Sequence, residues 1–230
     1  CLNRDDLGAP KSAVFGGVQR ARVSSQCWKR AIRELAADSK PSSMRGLYMA
    51  TRLTAILSAQ GVDEAQAKSA AETVVDSIAG TDKKNKKEEH KTTVALFFSE
   101  GELSAIAAGI KAQMDEGKKL DMKKGDLSKA IKNAAVKDAA DIAIFGRMVA
   151  DDHTLTLEGA GLFSHALSTH GVSNELDFFS AVDDTKRDAD DAGAGHIGSL
   201  EFNSACYYRY VGINLGLLKD ANHLDHLIGE

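Results

Sequence analysis

Hydrophobic positions along this chain outline a succession of elements. Val18-Gln19-Arg20-Ala21-Arg22-Val23 reads as a short strand-like stretch and follows the flexible pair Gly16-Gly17. Directly after it Trp28, Ala31, Ile32, Leu35 and Ala36 recur at i, i+3, i+4, i+7 and i+8. That predicts a helix with one buried stripe at about 100° per residue. Gln26, Lys29, Arg30 and Arg33 fall on its opposite side, and Ser24 and Ser25 are suited to cap it. Between Pro41 and about Gly61, the residues Met44, Leu47, Tyr48, Leu53, Ile56 and Leu57 keep helical spacing behind a Ser42 or Ser43 cap. A further helix is predicted from Asp63 through Ala71, Val74, Val75 and Ile78 to Gly80, where glycine suits a C-terminal stop.

The stretch from Thr81 to Thr92, with Lys83, Lys84, Lys86 and Lys87, reads as a solvated loop. Thr93 to Phe98 reads as a buried strand, and Ser99-Glu100-Gly101-Glu102 as a capping box opening a helix to about Gly117. Asp126 to about Ala140 is alanine-rich and helical. Asp141 to Met148 is short and apolar like a central strand, although periodicity leaves a helix open. Val172 to Asp184 and His196 to Tyr210 read as two extended arms around an acidic tip that contains glycine.

Length and charge sharpen this outline. A chain of 230 residues can bury a sizeable core as one large domain or as a domain carrying an insertion. No apolar run approaches the roughly 18 residues of a membrane span, and no signal-peptide pattern opens the chain, so a cytoplasmic protein without a membrane partner is expected. Cys1, Cys27 and Cys206 are odd in number and lack CxxC spacing, which supports neither a disulfide framework nor a structural zinc site. Residues 1 to 52 hold ten Lys/Arg against four Asp/Glu, a local excess of +6; the whole chain carries −4, so the remainder sums to −10. A basic end on an acidic body is the footprint of a polyanion-binding groove. A strand that delivers a helix N-terminus ringed by basic side chains favours a phosphate, through free N–H groups and the helix dipole. The competing reading is that Lys29, Arg30 and Arg33 form only the wet face of an amphipathic helix.

Several tempting motifs fail on context. Gly193-Ala194-Gly195-His196-Ile197-Gly198 satisfies GxGxxG but follows an acidic loop and opens no helix. Gly16-Gly17 lacks the Lys-Ser/Thr of a P-loop, and Asp151-Asp152-His153 has no spaced partners to complete a metal site. His165 and His170 read as hydrogen-bonded structural histidines. No catalytic constellation, metal or cofactor is expected from spacing.

The order of certain blocks resembles a known family. Cys1-Leu2-Asn3-Arg4-Asp5-Asp6, Lys11, Phe15-Gly16-Gly17, Arg20, Arg22, Ser24-Ser25-Gln26 and Lys29-Arg30 are similar to the backbone subunit of the type I-E CRISPR surveillance complex, Cascade. The resemblance resumes at Gly146-Arg147-Met148, Ser164-His165-Ala166, Thr169-His170, Asp177-Phe178-Phe179, Ala181-Val182-Asp183-Asp184, His196-Ile197-Gly198, Glu201-Phe202, Tyr208-Arg209-Tyr210 and Asn214-Leu215, whereas residues 54 to 138 match poorly. It implies an α+β chain: an RNA-recognition-motif-like (ferredoxin-like) palm, βαββαβ, with a mostly helical insertion and an extended β-hairpin thumb. The palm then occupies 1–39 and 139–230, the insertion 40–138 and the thumb about 166–205. The resemblance also implies a chain shorter than the family at both ends, without the palm's first strand and last elements.

In function it implies a non-catalytic subunit that polymerises along crRNA with copies of itself and other Cascade subunits, and that presents the guide for pairing with target DNA. Phosphates would be gripped by Ser24, Ser25, Gln26, Lys29, Arg30 and Arg33, with Arg4, Lys11, Arg20, Arg22 and Arg45 lining the groove. Met148, Phe179 and Ile197 match the apolar residues that wedge between bases, for which ordinary core packing is the competing reading. Val18 and Gln19 stand where basic residues are expected. Two alternatives remain open: a metal-dependent RNA-cleaving subunit of the type III kind, using Asp5 or Asp6, and a structural oligomer without nucleic acid.

Overall fold

A computed structural model describes residues 2–37, 43–80, 90–117, 125–134, 138–181 and 196–220. The loop lysines between 83 and 87 and the acidic tip between 182 and 195 lie outside the described residues. Elements follow in the order β1 (Ser12–Phe15), β2 (Val18–Val23), α1 (Ser25–Ala37), β3 (Met44–Gly46), α2 (Met49–Ala59), α3 (Glu64–Ile78), β4 (Leu96–Phe98), α4 (Glu100–Asp115), α5 (Asp126–Asn133) and α6 (Ala140–Phe145). After a 3₁₀ turn at His153–Leu155 come β5 (Gly161–Phe163), β6 (Ala166–Ser168), β7 (Glu175–Ala181), β8 (His196–Phe202), β9 (Tyr207–Tyr208), β10 (Val211–Ile213) and α7 (Leu215–Asp220). The protein is thus α+β, with antiparallel sheets.

The chain divides into two units. The first holds residues 1–32 and 163–212 and is built on a four-stranded sheet of order β1-β2-β6-β9. Its opening hairpin joins β1 to β2 through Gly16 and Gly17, at φ 63° and 78°, with Phe15 paired to Val18. Both turn positions require positive φ, which is why the pair is Gly-Gly. These glycines are therefore a hairpin turn and not merely a flexible lead-in, and β1 before them is an element that the sequence pattern does not reveal. Ala21, Val23 and Ala166 bury one face of the sheet. The two expected arms are present as β7 and β8, paired antiparallel from Glu175–Phe202 to Ala181–His196.

The second unit, 33–162 and 213–230, has its core among α2, α3 and α4, where Leu53, Leu57, Val74, Leu103, Ile106 and Ile110 are buried with Phe98 of β4. Two signals read from sequence recur in atomic detail. Asp63 caps α3 by accepting the Ala65 and Gln66 N–H groups, and Ser99 and Glu102 form the reciprocal capping box of α4.

Four expectations are corrected. Met44 to Gly46 form a strand, because they pair with Leu96–Phe98 while Ser43 is held by Asp141, so the helix predicted from there starts only at Met49. Asp141 to Phe145 lie in helix α6 instead of a strand, with Ile142 and Ala143 buried; the apolar run alone carries no period to separate the two. Gly80 does not close α3 in a left-handed cap; Ala79 leaves the helix in an extended conformation. Along α1 the half-buried residues are Ser25, Cys27, Trp28, Lys29, Ile32 and Arg33, whereas Ala31 is exposed and Leu35 is 75% exposed. The buried stripe is therefore rotated from its predicted place, toward two of the basic residues.

Candidate nucleic-acid interface

Helix α1 follows β2 without a loop, so the sheet fixes where its first turn points. Ser24 caps it: its Oγ accepts the Cys27 N–H at 3.2 Å and its carbonyl the Trp28 N–H at 3.3 Å. The Ser24 N–H donates to Asn3 Oδ1 at 3.0 Å, and the Ser25 N–H to His165 Nδ1 at 2.9 Å. An imidazole that accepts there carries its proton on the other nitrogen. The open helix end expected from sequence is thus mostly filled. Of the first-turn donors, the Gln26 N–H alone lacks an acceptor among the described residues, and Gln26 is exposed. The side chains, more than the helix end, must supply attraction for an anion.

Those side chains rest on aromatic rings. In the first unit Lys29 Nζ stands 5.4 Å from the Phe163 ring centre, Arg4 lies over Phe202 at 5.5 Å, and Arg20 over Phe15 at 5.9 Å. In the second, Arg33 lies over Phe97 at 5.3 Å, and Arg45 is the cross-strand partner of the same Phe97, so both arginines belong to one face of the β3–β4 ribbon. Among the described residues Arg4, Lys11, Arg20, Arg22, Lys29, Arg33 and Arg45 pair with no carboxylate. A ring holds a cation in place without cancelling its charge, at roughly 0.5–1 kcal/mol for each pair near a surface. Arg30 is exposed on the helix.

The sheet sorts the remaining residues. Arg22 pairs with Leu167, Leu167 with Tyr208, and the Arg22 N–H donates to the Lys11 carbonyl at 2.8 Å. Lys11, Arg22, Leu167 and Tyr208 therefore form one row across one face. Tyr208 is 68% exposed, and the Arg22 Nε is buried without a hydrogen-bond partner among the described residues. Arg20 is partly committed to structure, donating to the carbonyls of Phe15 at 3.0 Å and Ser168 at 2.8 Å; Arg4 donates to the Gly8 carbonyl. Two residues with the same chemistry are not among the predicted RNA-binding residues. Tyr208 offers a stacking face, and exposed Arg209 sits 4.3 Å from the Trp28 ring centre. The Tyr-Arg-Tyr triplet they belong to is a usable signal.

The three apolar candidates differ in setting. Met148, in the second unit, is 84% exposed. Phe179, on β7, is half-exposed and lies across Gly198, where a Cβ would collide with its ring. Ile197, on β8, pairs with Ser180. For Met148, packing into a core is excluded.

Asp5 shapes its own loop, its Oδ1 accepting the Leu7 and Ala9 N–H groups at 2.9 Å each. Asp152 similarly accepts the Thr154 N–H and hydroxyl. Among the described residues no group of three or more His, Cys, Asp or Glu could hold a metal ion, and no helix is long and apolar enough to cross a membrane. A cavity of about 590 Å³ lined by Thr54, Ser58, Lys68, Glu72 and His90 gathers none of the predicted residues. Chemically each unit offers, among the described residues, cations without carboxylate partners beside apolar and aromatic surfaces, which suits a single-stranded polynucleotide whose sequence is not read.

The sequence model of a family described as CT1975-like protein matches residues 1–226. Among solved structures, a chain of "CRISPR RNA-guided surveillance complex, pre-nicking" is 31% identical with a TM-score of 0.74, covering 96% of this chain and 63% of its own length. A chain of "CRISPR RNA-guided surveillance complex" is 26% identical with a TM-score of 0.67, covering 97% and 63%. The protein thus spans less than two thirds of either relative. No curated protein matches.

Proposed function

Since the chain belongs to the CT1975-like protein family, we propose that it is a crRNA-binding backbone subunit of a CRISPR RNA-guided surveillance complex, of the type I-E kind that its sequence blocks resemble. The observation that carries this reading is the set of basic side chains seated on aromatic rings and, among the described residues, without carboxylate partners. Such cations are held in place before a ligand arrives, so little side-chain freedom is lost when phosphates bind. In this reading Lys29, Arg30, Arg33 and Arg45 take phosphates, while Met148, Phe179 and Ile197 separate bases. The four-stranded sheet with α1 serves as an RNA-recognition-motif-like palm, the helices between residues 49 and 133 as its insertion, and β7–β8 as the thumb. Copies line up along the guide, whose exposed bases pair with target DNA, so specificity resides in base pairing. The subunit itself is non-catalytic.

Fluorescence anisotropy with two unrelated single-stranded RNAs over a salt series tests this. Both should bind alike, and Lys29→Ala with Arg33→Ala should flatten the log–log salt slope by about 1.4, or about 0.7 for each phosphate no longer neutralised. An unchanged slope, or binding that depends on sequence, would refute the assignment.

A further inference from the structure

Between Gly146 and Val149 the chain alternates sharply in exposure. The Arg147 side chain is 7% exposed and Val149 is buried in the core, yet Met148 between them stands in solvent. Each neighbour is tied down. Arg147 Nη1 donates to Glu102 Oε2 at 2.7 Å and to the Phe97 carbonyl at 3.2 Å, its Nε donates to the Leu155 carbonyl at 2.9 Å, and its guanidinium lies 4.8 Å from the Phe98 ring centre. Glu102, itself 5% exposed, also accepts the Ser99 N–H as its half of the capping box. The backbone is held as well: Arg147 and Leu157 exchange N–H···O bonds at 2.9 and 2.8 Å, and the Val149 N–H reaches Thr156 Oγ1 at 3.3 Å. Gly146, at φ 78° and ψ 160°, lies against Gly159 so closely that a Cβ on either would strike backbone atoms at 2.8–2.9 Å.

A buried ion pair is a poor source of stability, because an apolar pair of similar volume often does as well; its gain can lie in fixing one geometry. Here the fixed geometry holds a large apolar side chain out of the core, where it forgoes hydrophobic burial. We infer that Arg147 is a positioning residue: through Glu102 and the Phe97 and Leu155 carbonyls it holds Met148 outward as an apolar surface for a base of the bound RNA. Phe97 extends the argument, since its carbonyl receives Arg147 while its ring carries Arg33. One residue of β4 thereby ties the side chain that grips a phosphate to the segment that displays Met148. The inference rests on the RNA-binding reading proposed above.

RNA carrying 2-aminopurine at successive positions tests it, because that base brightens when unstacked. With the wild-type chain one position should brighten on binding, and Met148→Ala should remove at least about two thirds of the rise, as expected when the side chain that displaces one base is cut back. Arg147→Met with Glu102→Leu should remove a similar share while affinity changes by less than about fivefold, since the apolar pair restores packing. Arg147→Lys, which keeps the charge beside Glu102 but lacks the fork for both carbonyls, covers the case in which the double variant does not fold, and should also dim the signal. In the free protein, the backbone amides at positions 147 and 149 should exchange faster in both variants than in the wild type. If either folded Arg147 variant binds RNA and keeps the full rise, or if Met148→Ala leaves it intact, the positioning role is wrong although RNA binding stands. If the wild-type chain binds no RNA, both readings fall.

Discussion

Asp5 separates two chemistries with a single side chain. A carboxylate whose one oxygen accepts two backbone N–H groups is the hinge of a tight loop, and this is the loop from which Arg4 reaches over Phe202. Asp5→Ala is therefore expected to destabilise the protein by roughly 0.5–1 kcal/mol, read from the urea midpoint, since both bonds are exposed. Complementary RNA incubated with Mg²⁺ and the assembled protein should stay intact; metal-dependent cuts that vanish in Asp5→Ala or Asp6→Ala would establish the cleaving subunit instead. At this scale the sequence shows which residues carry charge but not what holds them. Lys29 and Arg33 are legible as a basic face because helical spacing is local. Phe163 and Phe97, the rings beneath them, come from distant parts of the chain, and no local pattern joins them. The pairing of Arg209 with Trp28 is hidden for the same reason.

Elements with a chemical start signal are legible in the sequence, and those defined by partners are not. Helix α4 can be read because a capping box is written within four residues, Ser99 to Glu102, and needs no tertiary partner. Strand β3 has three residues and exists because Leu96–Phe98 lies beside it, a partner that helical periodicity in residues 44–57 cannot reveal. Helix α6 is the converse case, an apolar run too short to show its period. Glycines offer a quantitative check. Gly117, after α4, has φ 65° and open space around its missing Cβ, so Gly117→Ala should cost only the left-handed strain, about 1–2 kcal/mol. Gly146 lies in a region that is essentially glycine-only and also faces the Gly159 backbone. Gly146→Ala should therefore cost clearly more, at least about 3 kcal/mol with strain and collision combined, as thermal or urea unfolding of the two variants would show. Equal costs would mean that the Gly146–Gly159 approach gives way easily.

The proposed assembly poses an electrostatic question at the scale of the whole chain: how a protein of net charge −4 would line up in copies along a polyanion. On the RNA-binding reading, the +6 of residues 1–52 against −10 in the rest concentrates net attraction to RNA in the basic part, and copies without RNA repel one another through their net charge. Assembly should then be templated, with RNA supplying the attraction that the subunits lack among themselves. Native mass spectrometry on single-stranded RNAs of increasing length should show the number of bound copies rising in steps with length, and raised salt should strip the copies off RNA. The alternative of a structural oligomer predicts the opposite pattern, a fixed number of copies that forms without RNA and persists in salt, with a purified protein whose 260/280 nm absorbance ratio is that of protein alone. Added salt also screens repulsion between copies, so the sign of its effect decides the matter: a complex that grows with salt is held by apolar surfaces between subunits, and one that shrinks is held by phosphates.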